Sequence, residues 1–184
     1  MQLIQNAGTI PSSMVGAAYL ALSRIRREEN ALDEALKLKA DGCAVPILIL
    51  MGARREEVSA VVDQGFSVCL FLEQTARDLS EAALSRGVVA PVHVKVDTGM
   101  NRLGVPWTDL PRFLGRISTM KGIKIDGLCS HLAAADDPDN DFTEQQRKRF
   151  FSAVDRVSSI RIRREMLHFG NSAAVLSGIE GEVG

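Results

Sequence analysis

The chain has 184 residues, 46% of them hydrophobic and 24% charged, with a formal net charge of −1. That length carries one domain with a sizeable core, and the composition is that of an ordinary globular protein. The near-zero charge excludes the electrostatic footprint of a nucleic-acid or anionic-membrane binder. The longest apolar run, residues 43–51, is broken by Pro46 and is too short to span a bilayer. Residues 1–13 lack a basic segment followed by an apolar stretch, which predicts no secretory leader. Cys43, Cys69 and Cys129 are odd in number and fit no zinc spacing, so they read as reduced structural thiols in a cytoplasmic protein.

In chain order, short apolar runs alternate with longer amphipathic stretches. Residues 17–22 read as a strand, followed by a helix over 30–40 with Ala31, Leu32, Ala35, Leu36 and Leu38 along one side. Strands over 46–51 and 66–71 flank a helix over 54–64 that aligns Val58, Val61 and Val62. A helix over 73–84 leads to a strand over 92–97, and a helix over 108–120 to a strand over 123–131. The last pair is a helix over 143–157 and a strand over 166–171. Thr108 and Thr143 stand where N-caps belong, and Thr143 with Gln146 has the spacing of a capping box. Repeated strand–helix alternation implies parallel strands covered by helices. Part of an eight-unit barrel and an open doubly wound sheet both fit that alternation. The second normally carries a Gly-rich turn after its first strand, whereas Ser-Arg-Ile-Arg-Arg stands at 23–27.

Polar residues interrupt the strands in informative places. Alternation over 92–97 puts Val92, Val94 and Val96 on one face and His93, Lys95 and Asp97 on the other. With the valines under helices, Lys95 points into a barrel, which is costly unless the amine is paired or chemically changed. A lysine that escapes to solvent at the strand end is the alternative. The next segment, Asp-Thr-Gly-Met-Asn-Arg-Leu-Gly over 97–104, sets Arg102 between two glycines. Glycine permits close ligand approach, and the guanidinium fork suits an oxygen anion; a surface arginine in a turn is the plainer reading. His131 and His168 also fall at strand ends, and Ser172 opens a candidate short helix over 173–176. Free N–H groups at such a start cradle phosphate, although an ordinary cap is the commoner use. Polar groups at three strand ends predict one anionic ligand at the C-terminal rim, where parallel barrels build their sites.

Three of these segments resemble the alanine racemase family. Lys-Val-Asp-Thr-Gly-Met-Asn-Arg-Leu-Gly over 95–104 is similar to the family's lysine-x-aspartate-threonine-glycine-methionine-x-arginine-x-glycine signature. Ser-His-Leu-Ala-Ala-Ala-Asp over 130–136 is similar to its histidine strand, and His-Phe-Gly-Asn-Ser-Ala-Ala over 168–174 to its histidine-x-x-asparagine-serine-alanine motif. The resemblance implies an α/β fold: an incomplete parallel (β/α)8 TIM-type barrel, about six of the eight units, over residues 17–184, with 1–16 unassigned. It implies pyridoxal 5'-phosphate at the C-terminal rim. There Arg102 would donate to the cofactor's phenolic oxygen, and His131 would pack near its ring. Ser172, with Asn171 and nearby backbone, would bind the phosphate. Lys95 would be carbamylated, its new carboxylate holding Arg102, and His168 would support the site from behind.

The same comparison of motifs exposes departures. The family's cofactor-binding lysine lies in a lysine-alanine-x-alanine-tyrosine-glycine-histidine motif that has no match; Lys37, Lys39, Lys121 and Lys124 fall on a helix or a helix–strand junction. Tyr19, the single tyrosine, is on the first strand candidate and not in the β-domain that supplies the opposite-face base. The six strands are therefore expected to be the second to seventh of the barrel. The first and eighth strands, the C-terminal β-domain and both catalytic bases are expected to be missing, so the polypeptide should form no D-alanine above a background control. Unpaired sheet edges are expected to lower its solubility. For the complete enzyme the resemblance implies a metal-free cytoplasmic homodimer that interconverts L- and D-alanine for the cell wall, with no nucleic-acid or membrane partner. A broad-specificity amino-acid racemase, a D-threonine-aldolase-like enzyme and a non-catalytic truncated product of the same barrel remain open. Lys95 two residues before Asp97, and the Asn171–Ser172 pair, favour alanine racemase.

Overall fold

A computed structural model describes residues 20–22, 31–137, 140–157, 160, 162 and 166–170. Its strands are β1 (Leu20–Leu22), β2 (Ile47–Ile49), β3 (Ser67–Leu70), β4 (Ala90–Asp97), β5 (Val105–Pro106), β6 (Ile123–Cys129) and β7 (Leu167–His168). The helices are α1 (Ala31–Ala40), α2 (Val58–Gln64), α3 (Glu73–Ser85), α4 (Leu110–Ile117) and α5 (Phe142–Asp155). The sheet runs β1-β2-β3-β4-β6-β7, all neighbours parallel, with the two-residue β5 added beside the end of β4.

That order decides between the two architectures left open by the sequence. A doubly wound sheet reverses its strand order at a switch point, whereas a barrel wall keeps strands in chain order. Here the order never reverses. The helices also pack on one face only. Ile47, Ile49, Val68, Leu70, Val92, Val94, Val96, Leu128 and Leu167 join the helix residues in one apolar core. Among the described residues the opposite face carries a small separate apolar cluster of Leu48, Cys69 and Cys129, with Leu50 against it. The described strands are thus consecutive staves of a TIM-type barrel, and the fold is an incomplete (β/α)8 barrel as the motifs implied.

Each helix buries the stripe its period dictates. In α3 this is Ala76, Leu79, Ser80 and Ala83, and in α4 it is Leu110, Phe113, Leu114 and Ile117. In α1, Asp33 and Glu34 in the first turn and Lys37 and Lys39 in the last complement the helix dipole. Residues 17–19 of the first expected strand lie outside the described residues. Strands β2, β3, β6 and β7 are shorter than the apolar runs suggested, whereas β4 starts two residues earlier at Ala90. Pro91 is tolerated there because pairing with β3 begins only at Val92.

Two expected caps are corrected. The N-cap of α4 is Asp109, not Thr108. The N-cap of α5 is Asp141, and Thr143 lies inside that helix with its hydroxyl donating to the Ala134 carbonyl at 3.2 Å. Asn140 is the reason: its side-chain oxygen accepts from the Phe142 N–H at 2.9 Å and starts the helix one residue earlier. Gln146, expected to fold back on the cap, turns to the barrel rim instead.

Candidate functional site at the C-terminal rim

The inner face of the sheet is built by register. Cys69 pairs with His93, His93 with Gly127, Lys95 with Cys129, and Cys129 with His168. All of these alternate with the outward valines and leucines. Strand β6 needs a correction to keep this phase. Ile125 pairs with outward Val92 while Gly127 pairs with inward His93, so Asp126 is an extra residue. The bulge shifts the alternation by one and turns Cys129 to the same side as Lys95.

Lys95 is 6% exposed, so the escape to solvent does not occur. Among the described residues no ion pair or hydrogen bond engages its ammonium. Its charge acts on both neighbouring strand ends. His131 is held below the ordinary histidine range by burial first, then by Lys95 and Arg102. His168 is pushed down to about 3 by burial, by His93 and by Lys95. His93, fully buried, is pushed down to about 4 by burial. Lys95, Arg102, His131 and His168 therefore share one electrostatic environment. Asn171 and Ser172, and the short helix expected over 173–176, lie outside the described residues.

The two neutral imidazoles of His93 and His168 meet Nδ1 to Nε2 at 2.9 Å, so one nitrogen donates and the other accepts. This contact depends on Gly127. A Cβ there would stand 2.6 Å from both the Cε1 of His93 and the Met166 carbonyl oxygen. Gly127→Ala is expected to cost about 1–3 kcal/mol of stability through overpacking. It should also separate the two rings, so that NMR titration finds at least one midpoint nearer the ordinary value. A variant that melts and titrates like the parent would refute this.

Beside the histidines on the same face, the Sγ atoms of Cys69 and Cys129 lie 3.3 Å apart as free thiols. The hydrogen bond to Cys69 and burial push the Cys129 thiol well up, which keeps it protonated and unreactive. This agrees with structural cysteines.

Arg102 sits on the turn after β4. The Asp97 carboxylate accepts from the N–H groups of Gly99 at 2.8 Å and Asn101 at 3.1 Å, curling the chain back. Gly99 and Gly104 have φ of 137° and 138°, which side chains with a Cβ rarely adopt. At Gly104 a Cβ would also meet the Asp97 amide nitrogen at 2.6 Å. Arg102 is exposed, and among the described residues nothing occupies its fork.

A second set of polar residues went unassigned in the sequence. Thr98 and Ser130, both buried, exchange a hydrogen bond of 2.9 Å between the turn after β4 and the end of β6. Gln146 of α5 joins that contact, and Arg149 donates to the Thr98 carbonyl at 2.9 Å. The signal for Gln146 was present, since it continues the buried stripe of Phe150 and Ala153. His93 was legible as inward but carried no assigned role.

A buried cation without a carboxylate and a free guanidinium beside a half-buried imidazole make a set that fits an anionic ligand. Such a set also fits pyridoxal phosphate.

Comparison with known proteins identifies the family. The family model for the alanine racemase N-terminal domain matches residues 26–183. The alanine racemase of Synechocystis sp. is 36% identical over 164 residues, covering 89% of this chain and 42% of its own length. That of Desulfovibrio desulfuricans is 35% identical over 169 residues, covering 92% and 44%. A solved alanine racemase from Clostridium difficile 630 superposes with a TM-score of 0.76 at 27% identity, over 85% of this chain and 42% of that one. The chain thus spans about two fifths of the length of the relatives it matches. With its motifs, its barrel order and a family match over most of its length, the chain belongs to the alanine racemase N-terminal domain family.

Proposed function

We propose that this chain forms the cofactor-holding wall of a pyridoxal-phosphate-dependent alanine racemase, corresponding to the second to seventh strands of the barrel within residues 17–184. The observation that carries the proposal is the convergence of Lys95, Arg102, His131 and His168 at the ends of β4, β6 and β7. When bound, pyridoxal phosphate supplies an electron-withdrawing ring that makes the α-proton of an attached amino acid acidic. In this reading Arg102 donates to the ligand's phenolic oxygen. Addition of carbon dioxide to the Lys95 amine, with two protons released from the ammonium, would replace an uncompensated buried cation by a carbamate that orients Arg102. His131, neutral at pH 7, packs beside the ring without adding charge, and His168 braces the wall through His93. Asn171 and Ser172 hold the phosphate.

Lys37, Lys39, Lys121 and Lys124 are exposed, away from the inner face, which supports assigning the two proton-transferring bases to segments outside this chain. The whole enzyme, in this proposal, is a cytoplasmic homodimer that interconverts L- and D-alanine and supplies D-alanine for the cell wall. The free thiols of Cys43, Cys69 and Cys129 support a reducing compartment. No described helix is long and apolar enough to cross a membrane.

The proposal predicts saturable binding of pyridoxal phosphate, followed by its absorbance and fluorescence. Arg102→Ala removes a charge-assisted hydrogen bond and should weaken that binding about tenfold or more. Equal affinity in wild type and variant would remove Arg102 from the site.

A further inference from the structure

The geometry points to Gln146 as a positioning residue that sets the spacing between the turn carrying Arg102 and the strand end carrying His131. The inference rests on the cofactor-site reading above and deepens it.

Gln146 is fully buried in α5, on the far side of the rim from the ligand face. Its Oε1 accepts from the Ala133 N–H at 2.8 Å. Its Nε2 donates to the His131 carbonyl at 3.0 Å and to the Thr98 hydroxyl at 3.0 Å. One amide thereby holds both flanks of His131–Ala133 and the residue that opens the Arg102 turn. No shorter or apolar side chain makes those three bonds, because each needs an amide donor or acceptor at that reach. Two neighbours strengthen the clamp. Thr98 also bonds Ser130 at 2.9 Å, and Arg149, one helical turn on, binds the Thr98 carbonyl at 2.9 Å. Gly99 leaves the room for this, since a Cβ there would lie 2.7 Å from Arg149 Nη1. All these groups bond the backbone or each other and leave the Arg102 guanidinium and the His131 ring free for ligand. That is the arrangement of a support that fixes geometry without touching the reacting atoms.

The test compares Gln146→Leu and Thr98→Val with Ser80→Ala in the same protein. Ser80 makes a comparable buried side-chain bond, accepting from Gly122 N–H at 3.0 Å, but at the opposite end of the barrel. Lys95 and Arg102 are the cations that face His131. Loss of the clamp should let the His131 ring move away from them and toward water. NMR should then show its midpoint rise toward the ordinary value in both rim variants, and their pyridoxal phosphate dissociation constants should rise about tenfold. Ser80→Ala should lower the melting temperature while changing neither readout. Thr98→Val carries the test if Gln146→Leu does not fold. An unchanged His131 midpoint in a folded rim variant would overturn the inference, as would an equal change in Ser80→Ala. If wild type binds no pyridoxal phosphate, the cofactor reading fails, and the His131 titration still decides the positioning role.

Discussion

Replacing Gly122 with alanine is expected to cause a large loss of stability, because the added methyl meets backbone and not side chain. Gly122 lies just before β6, where its N–H donates to Ser80 Oγ at 3.0 Å and its carbonyl accepts from Ala90 N–H at 2.9 Å. A Cβ there would stand 2.7 Å from the carbonyl carbon and the Cα of Ser80, with the carbonyl oxygen closer still. These are backbone atoms of α3, so no side chain can swing aside; the helix must lift off the sheet. Lifting it opens the contacts of Leu79 and Ala83, both fully buried. Overpacking of flexible side chains costs about 1–3 kcal/mol, and a backbone clash belongs at or above the upper end. Against a total stability of about 5–15 kcal/mol, a thermal or urea melt should register a large shift. Gly115→Ala serves as the contrast. Gly115 is inside α4 with nothing within 4 Å of its Cβ, so alanine there should stabilise by about 0.5–1 kcal/mol. Melting of Gly122→Ala at or above the parent temperature would show that α3 does not pack as described.

The second large effect is on acid stability. Folded His93 titrates at about 4 and folded His168 at about 3, against 6.5 for an unperturbed ring. Between pH 6.5 and 4 the unfolded chain binds protons that the folded chain excludes. Stability therefore falls as pH drops through that window and is fully present above it. His93 alone accounts for about 3 kcal/mol. His131, also depressed by burial, acts in the same direction. The lowered carboxyl groups, Asp63 and Glu144, owe their shifts to surface pairs with Arg86 and Arg147 and add little to this dependence. Urea midpoints measured at pH 7 and pH 4.5 should differ markedly, and His168→Gln should reduce the difference. A midpoint independent of pH across that interval would mean that the rings are not buried together.

Both effects concern residues whose importance no local pattern reveals. Gly122 precedes a strand like many other glycines, and only the approach of Ser80 from a helix some forty residues earlier makes its missing Cβ necessary. Gln146 shows the opposite case. Its spacing from Thr143 fitted a capping box, a local pattern that lost to three long-range bonds, because a buried amide must satisfy both its oxygen and its nitrogen.

By itself the sequence determined the strand–helix alternation, the placing of Lys95 on the strand face opposite three valines, and the three motifs that mark the family. Those properties live in a period of two or in short contiguous runs, which local sterics and burial impose without reference to the rest of the chain. Tertiary structure alone decided three other things: that the strands stay in chain order, that an extra residue at Asp126 rephases β6, and that His93 meets His168 across 75 positions. Each of these depends on pairing between segments far apart in sequence, where register and close approach are set by packing that no short stretch encodes.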